Sequence, residues 1–180
     1  MKILNLIFIL FTVSVLNHCS SGVDEDVFEC NPENNTINFI FKYGVTSKNI
    51  LNTNDCSYQK DLVQDPPVTT NLKLTTEELD SIFSKMLSID FINYPDTFYV
   101  IRDPAVEITP SIKYYYLVES DTINKELYWN DSVTDADTLA DKLRYLNNYI
   151  IEIIESKKEY KELPEPSGGY DWDMQLYRYM

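Results

Sequence analysis

Histidine is nearly missing from this chain: one occurs in 180 residues, at position 18. Nucleophilic sites of the Ser-His-Asp or Cys-His kind, histidine-ligated zinc and histidine acid-base chemistry all lose their central residue without it. Glycine is almost as scarce, with four in all, and beyond position 30 only Gly44, Gly168 and Gly169 remain. Phosphate-cradling loops and nucleophile elbows need glycine where the backbone turns tightly or approaches a ligand, so neither is expected. Basic residues are outnumbered, 15 against 29 acids, for a formal net charge of −14. That argues against a nucleic-acid partner, which demands clustered Lys and Arg to replace phosphate counterions. The acids point instead to a hydrated surface or to a cationic partner, a protein or peptide. Long apolar runs are also missing after residue 16, and a membrane-crossing helix needs about 20 apolar residues.

The run that does exist stands at the very start. Met1 and Lys2 precede an apolar stretch from Ile3 to Leu16 broken only by Asn5, Thr12 and Ser14, followed by Asn17, His18 and the small residues Ser20, Ser21 and Gly22. A short positive start, a short apolar core and small residues after it are the layout of a signal peptide, expected over residues 1–21. Its removal would take His18 and Lys2 away and no acid, leaving 14 bases against the 29 acids and no histidine. The Leu16-Asn17-His18-Cys19 stretch resembles a bacterial lipobox, which would make Cys19 the lipid-carrying N-terminus and anchor the protein to the membrane. His18 departs from that motif, which has a small residue before the cysteine. Ordinary cleavage after Ser21 is the rival reading.

Three cysteines are present, an odd number. With Cys19 lipidated, Cys30 and Cys56 are free to pair, as an exported protein allows. Closing a loop of that length is worth roughly 3 to 4 kcal/mol on the chain-entropy estimate.

Residues 22–36 are polar and acidic, with Asp24, Glu25 and Asp26 in a row, and read as a tether. Residues 37–180 are expected to form one α+β domain. Ile37 to Tyr43 alternates in the manner of a half-buried strand, and Tyr58–Leu62 and Val68–Leu74 are further candidates separated by Pro66-Pro67. Thr75-Thr76-Glu77-Glu78 is a capping box that starts a helix whose stripe is Leu79, Ile82, Phe83, Met86 and Leu87. Phe98–Arg102 reads as a short strand. Ile112–Glu119 and Ile123–Trp129 read as a hairpin turning at Ser120-Asp121. A second helix follows acidic capping residues at 134–137, with Leu139, Leu143, Leu146, Ile150 and Ile153 on its stripe. The expected architecture is an antiparallel sheet of about five or six strands packed on two amphipathic helices. The aromatic stretch after Gly168 is expected to pack back on that sheet.

Phe39-Ile40-Phe41-Lys42-Tyr43-Gly44-Val45, Lys60-Asp61, Leu72-Lys73-Leu74-Thr75 with Glu78, Tyr94-Pro95 and Tyr160-Lys161-Glu162-Leu163-Pro164-Glu165-Pro166 with Gly168-Gly169-Tyr170 resemble an uncharacterised group of Gram-positive, Bacillus-type secreted lipoproteins. The resemblance spans most of the chain after the leader. It implies a bacterial envelope location and an α+β domain, and it brings no known activity or catalytic residue.

Chemistry readable from residues alone is sparse. Paired carboxylates can hydrolyse glycosides, but no pair is marked out by flanking residues. Asp131, Asp135 and Asp137 lack the glycine and the closing glutamate of a calcium loop, and Asp171-Trp172-Asp173 is a short acidic pair, so surface and capping roles are expected and no metal site or cofactor. Asn34-Asn35-Thr36 and Asn130-Asp131-Ser132 match the glycosylation pattern, which applies only in a eukaryotic secretory host. Tyr114, Tyr115, Tyr116, Tyr128 and Trp129 are expected to lie close together on the hairpin and to offer a binding surface, since aromatic rings stack on sugars and anchor interfaces. The expected function is that of an exported, non-enzymatic binding module outside the cytoplasm. A carbohydrate- or wall-binding or -processing protein using carboxylates and tyrosines is the alternative.

Overall fold

The structure, a computed structural model, describes residues 37–100, 107–133 and 137–170, with backbone alone at residues 107–109. The expected signal segment, the tether, Cys19, Cys30, Asn34, Asp135 and the stretch after Tyr170 lie outside the described residues.

The fold is mixed α+β. Seven strands form one sheet: β1 (Ile37–Gly44), β2 (Asn49–Asn52), β3 (Ser57–Leu62), β4 (Asp65–Asn71), β5 (Thr97–Phe98), β6 (Glu107–Ser120) and β7 (Asn124–Val133). Their order across the sheet is β4-β3-β2-β1-β6-β7-β5, antiparallel throughout except for the β5 and β7 pair. Two long helices, α1 (Thr76–Ser88) and α2 (Thr138–Ser156), cover one face, and a one-turn helix α3 (Lys158–Lys161) follows.

The central strands β1 and β6 and the first half of β7 alternate, and this places the core. Phe39, Phe41 and Tyr43 of β1, Leu51 of β2, Tyr58 of β3, Tyr114, Tyr116 and Val118 of β6, and Leu127 and Trp129 of β7 are buried beneath Leu79, Ile82 and Met86 of α1 and Leu143, Leu146, Ile150 and Ile154 of α2. Thr75 caps α1 as its sequence dictates: its hydroxyl accepts from the Glu78 amide and the Glu78 carboxylate accepts from the Thr75 amide. Asp137 caps α2 through the amides of Leu139 and Ala140. Lys157 then reaches from the end of α2 to Glu78, joining one helix's end to the other's start. Arg144 of α2 bonds Asp131 and the Val133 carbonyl of β7, and its guanidinium lies over Trp129.

Several expectations need correction. The strand count is seven where five or six were expected. β2 is only four residues, Asn49 to Asn52, with one buried side chain, Leu51, so periodicity has little to act on. Pro66 and Pro67 do not separate two strands but open β4, the outermost strand, where a missing amide donor costs no ladder bond. The strand at Phe98 spans two residues and pairs parallel to β7. Leu87, 67% exposed, turns away from the helix stripe expected to bury it, and Leu139 is also exposed. Ala140 takes the inward position instead, one residue on in the first turn of α2.

Candidate functional site

Alternation that buries one face of the sheet leaves a second set of side chains on the other. Among the described residues no helix lies over that open face. The register gives it a row that crosses the whole sheet: Thr69 of β4, Gln59 of β3, Ile50 of β2, Lys42 of β1, Tyr115 of β6, Tyr128 of β7 and Thr97 of β5 are successive partners. The neighbouring row runs Asn71, Ser57, Asn52, Ile40, Leu117 and Glu126 by the same register. Six inter-strand steps of about 4.8 Å make the first row about 29 Å long.

At the centre Lys42 stands over the Tyr115 ring, 4.9 Å from its centroid. The Tyr115 hydroxyl is hydrogen-bonded to Glu126, and burial together with that carboxylate pushes its pKa up to about 12. Tyr128, directly opposite Tyr115, is 38% exposed. These two rows hold one lysine and one glutamate, Lys42 and Glu126; further along the strands Glu119 accepts from Asn38 at 2.8 Å.

The five aromatics expected to form one surface are therefore divided by the pleat. Tyr115 and Tyr128 stand on the open face, whereas Tyr114, Tyr116 and Trp129 point into the core and are buried. Residues one apart on a strand face opposite ways, so no hairpin could present all five together. Burial raises the pKa of Tyr114 and, still more plainly, that of Tyr116, whose hydroxyl donates to the buried Asn147 side chain. These three serve the core. Asp131 is likewise taken up by Arg144, and Asp137 by its cap. Asn130 accepts from the Ser111 hydroxyl at 2.6 Å.

A second constellation was not foreseen. Lys60 is buried on the covered face of β3, its side chain 3% exposed, with its ammonium 4.5 Å from the Tyr160 ring centroid and 3.7 Å from the Glu165 carboxylate. Tyr43 and Tyr58 share a hydrogen bond of 2.7 Å close by, and Tyr58 packs against Tyr160. Beyond α3 the chain runs past the β3 to β4 turn: Ser167 donates its amide to the Leu62 carbonyl and bridges to Val63, and Tyr170 donates its hydroxyl to Asp61. This strap closes over Lys60. Its sequence signal was the Tyr160 and Tyr170 pair flanking the prolines.

Cys56 is buried and held in a disulfide, and the other two cysteines lie outside the described residues. Among the described residues no three His, Cys, Asp or Glu side chains gather in a way that would hold a metal ion. No helix among them is long and apolar enough to cross a membrane.

No family model, curated protein or solved structure matches this chain. The functional reading therefore rests on the molecule's own geometry.

Proposed function

We propose that this protein is an exported, non-enzymatic binding module of the cell envelope that engages its partner with the open face of the sheet. One observation carries the reading: two helices cover one face, while the opposite face presents a full-width row that includes Tyr115 and Tyr128, with no described element over it. Aromatic side chains that reach the surface of a rigid sheet, as Tyr128 does and the half-buried Tyr115 does in part, suit binding, because they offer large contact area with little conformational entropy to lose. The apolar leader and Cys19 support export and lipid anchoring, the Cys56 disulfide suits an oxidising compartment, and the likeness to Bacillus-type secreted lipoproteins points the same way. Cys30 is the natural partner of Cys56 in that compartment.

The test is retention of envelope material on the immobilised mature protein, compared with a Tyr115→Ala, Tyr128→Ala double variant of unchanged melting temperature. The reading predicts a component retained by the parent and lost from the double variant. Equal retention by both would overturn it. An intact mass of the native protein reports lipid at Cys19, the cleavage point and the disulfide together.

A further inference from the structure

We infer that the apolar diagonal Ile50, Ile40 and Leu117 of the open face is covered by this chain's own Trp172, Met174 and Leu176, set on their course by Tyr170. The inference stands on the geometry of the face and not on the partner proposed for it, so either can fail alone.

The strap sets the route to that face. Along β3, Tyr58 and Lys60 point into the covered face, so Ser57, Gln59 and Asp61 point to the open one. The strap starts on the covered side, where Tyr160 lies against Tyr58 and Lys60. It passes the β3 to β4 turn at Ser167 and bends at Gly168, whose φ of +75° is one that side chains disfavour. It arrives at Tyr170, whose hydroxyl donates to Asp61 and lies 3.1 Å from the Thr46 hydroxyl. Asp61 is only 6% exposed although no described helix covers its side of the sheet, because Thr46 and Tyr170 both bond its carboxylate. The chain has thus crossed to the open face by residue 170.

A line of apolar side chains leads away from that point. Ile40 and Leu117 are direct partners across β1 and β6, and Ile50 stands diagonally before Ile40 on β2. All three are half-buried. Asp61 lies two residues beyond Gln59, the partner of Ile50. Strands about 4.8 Å apart, with same-face residues about 6.7 Å apart along each, put Ile50, Ile40 and Leu117 roughly 8, 16 and 20 Å from Asp61. An extended chain advances about 6.7 Å every second residue, so positions 172, 174 and 176 fall roughly 7, 13 and 20 Å beyond position 170. The two series keep pace.

The segment itself carries the matching period. Trp172, Met174 and Leu176 alternate with Asp171, Asp173 and Gln175, so an extended course turns three large apolar side chains to the sheet and three polar ones to water. Residues 22–36, which lead into β1, have no such alternation of large apolar side chains. A second copy would have to bring its strip from solution, whereas this one is tethered next to Tyr170, at an effective concentration of about millimolar. The course reaches β6 at Leu117 and stops one strand short of Tyr128, which stays open to a partner.

The experiment is photo-cross-linking of the full mature protein carrying benzoylphenylalanine in place of Ile40, read by peptide mass spectrometry of the monomer. A cross-link from β1 to residues 171–176 is expected. It should be lost in the Trp172→Asp, Met174→Asp variant and absent when the label replaces Leu87, which is 67% exposed on α1. Melting curves confirm folding, and Asn52, directly opposite Ile40, carries the label if position 40 does not tolerate it. Cross-links that miss residues 171–176, or one undiminished by the two aspartates, overturn the inference. A cross-link formed between isotopically heavy and light molecules in a mixed sample also overturns it and gives the diagonal to a second copy.

Discussion

Lys125 and Asp96 form an ion pair of 2.7 Å that fastens the end of the sheet, and the same ammonium also donates to the Tyr94 carbonyl. Lys60, equally buried, has no hydrogen-bond acceptor among the described residues, and its ammonium meets the Tyr160 ring and makes a long contact to the well-exposed Glu165. The two buried lysines are thus opposites. A buried charge that is poorly paired carries its desolvation penalty without compensation, so an apolar side chain of similar length is neutral or better there. Lys60→Met is expected to leave stability unchanged or raise it by about 1 to 2 kcal/mol. Lys125→Met, which strands a buried carbonyl, should lower it by about 1 to 3 kcal/mol. Urea denaturation of both variants reads the two signs.

Thr75 and Glu78 set the start of α1, and Glu78 also holds Lys157. Thr75→Ala removes one amide acceptor and should cost about 1 kcal/mol. Glu78→Gln keeps an acceptor for the Thr75 amide while losing the ion pair, which is partly exposed and so worth only about 0.5 to 1 kcal/mol. Chemical denaturation midpoints of the two variants check the order.

Acid should loosen the strap. Burial works against the Asp61 carboxylate, but hydrogen bonds from Thr46, Tyr170 and the Val63 amide outweigh it, and its pKa lies below the usual carboxylate value. A pKa depressed by folding contributes stability above the unfolded value and loses it as pH falls through the folded one. The stability gap between the parent and Asp61→Asn is therefore expected to be full at pH 6 and to shrink as pH drops below about 4. Denaturation of both proteins from pH 6 to pH 2.5 measures that gap, and a gap that does not narrow contradicts the assignment.

Alkali addresses the open face. Tyr115 has its pKa raised to about 12 by burial and by Glu126. A raised pKa contributes stability below the unfolded value near 10, and that contribution fades as pH rises through 12. Spectrophotometric titration should show that Glu126→Gln ionises one tyrosine at lower pH than the parent does.

Legibility in the sequence followed the strength of local signals. Thr75 with Glu78 is a complete local device, and α1 begins where it says. The hairpin of β6 and β7 was legible because Ile123, Lys125, Leu127 and Trp129 alternate with Asn124, Glu126 and Tyr128 over a full strand. The same alternation divides the aromatics between faces, yet reading Tyr114 to Tyr116 as a cluster overlooked it. Position along the chain is a poor guide to neighbours when the pleat sends adjacent side chains apart. β2 escaped notice because four residues carry little period, and β5 was expected at Phe98–Arg102 where the strand is Thr97–Phe98; their pairing is set by β1 and β7. Lys60 could not be recognised as buried, since the ring that covers it lies 100 positions later, at Tyr160.

The most direct test of the open face as the working surface is tyrosine footprinting of the mature protein with and without isolated envelope, using Tyr145, 62% exposed on α2, as the internal reference. Tyr128 and Tyr115 should become protected from modification while Tyr145 reacts at its original rate. Protection of Tyr145 with Tyr128 unchanged would place the contact on the helices and contradict the account.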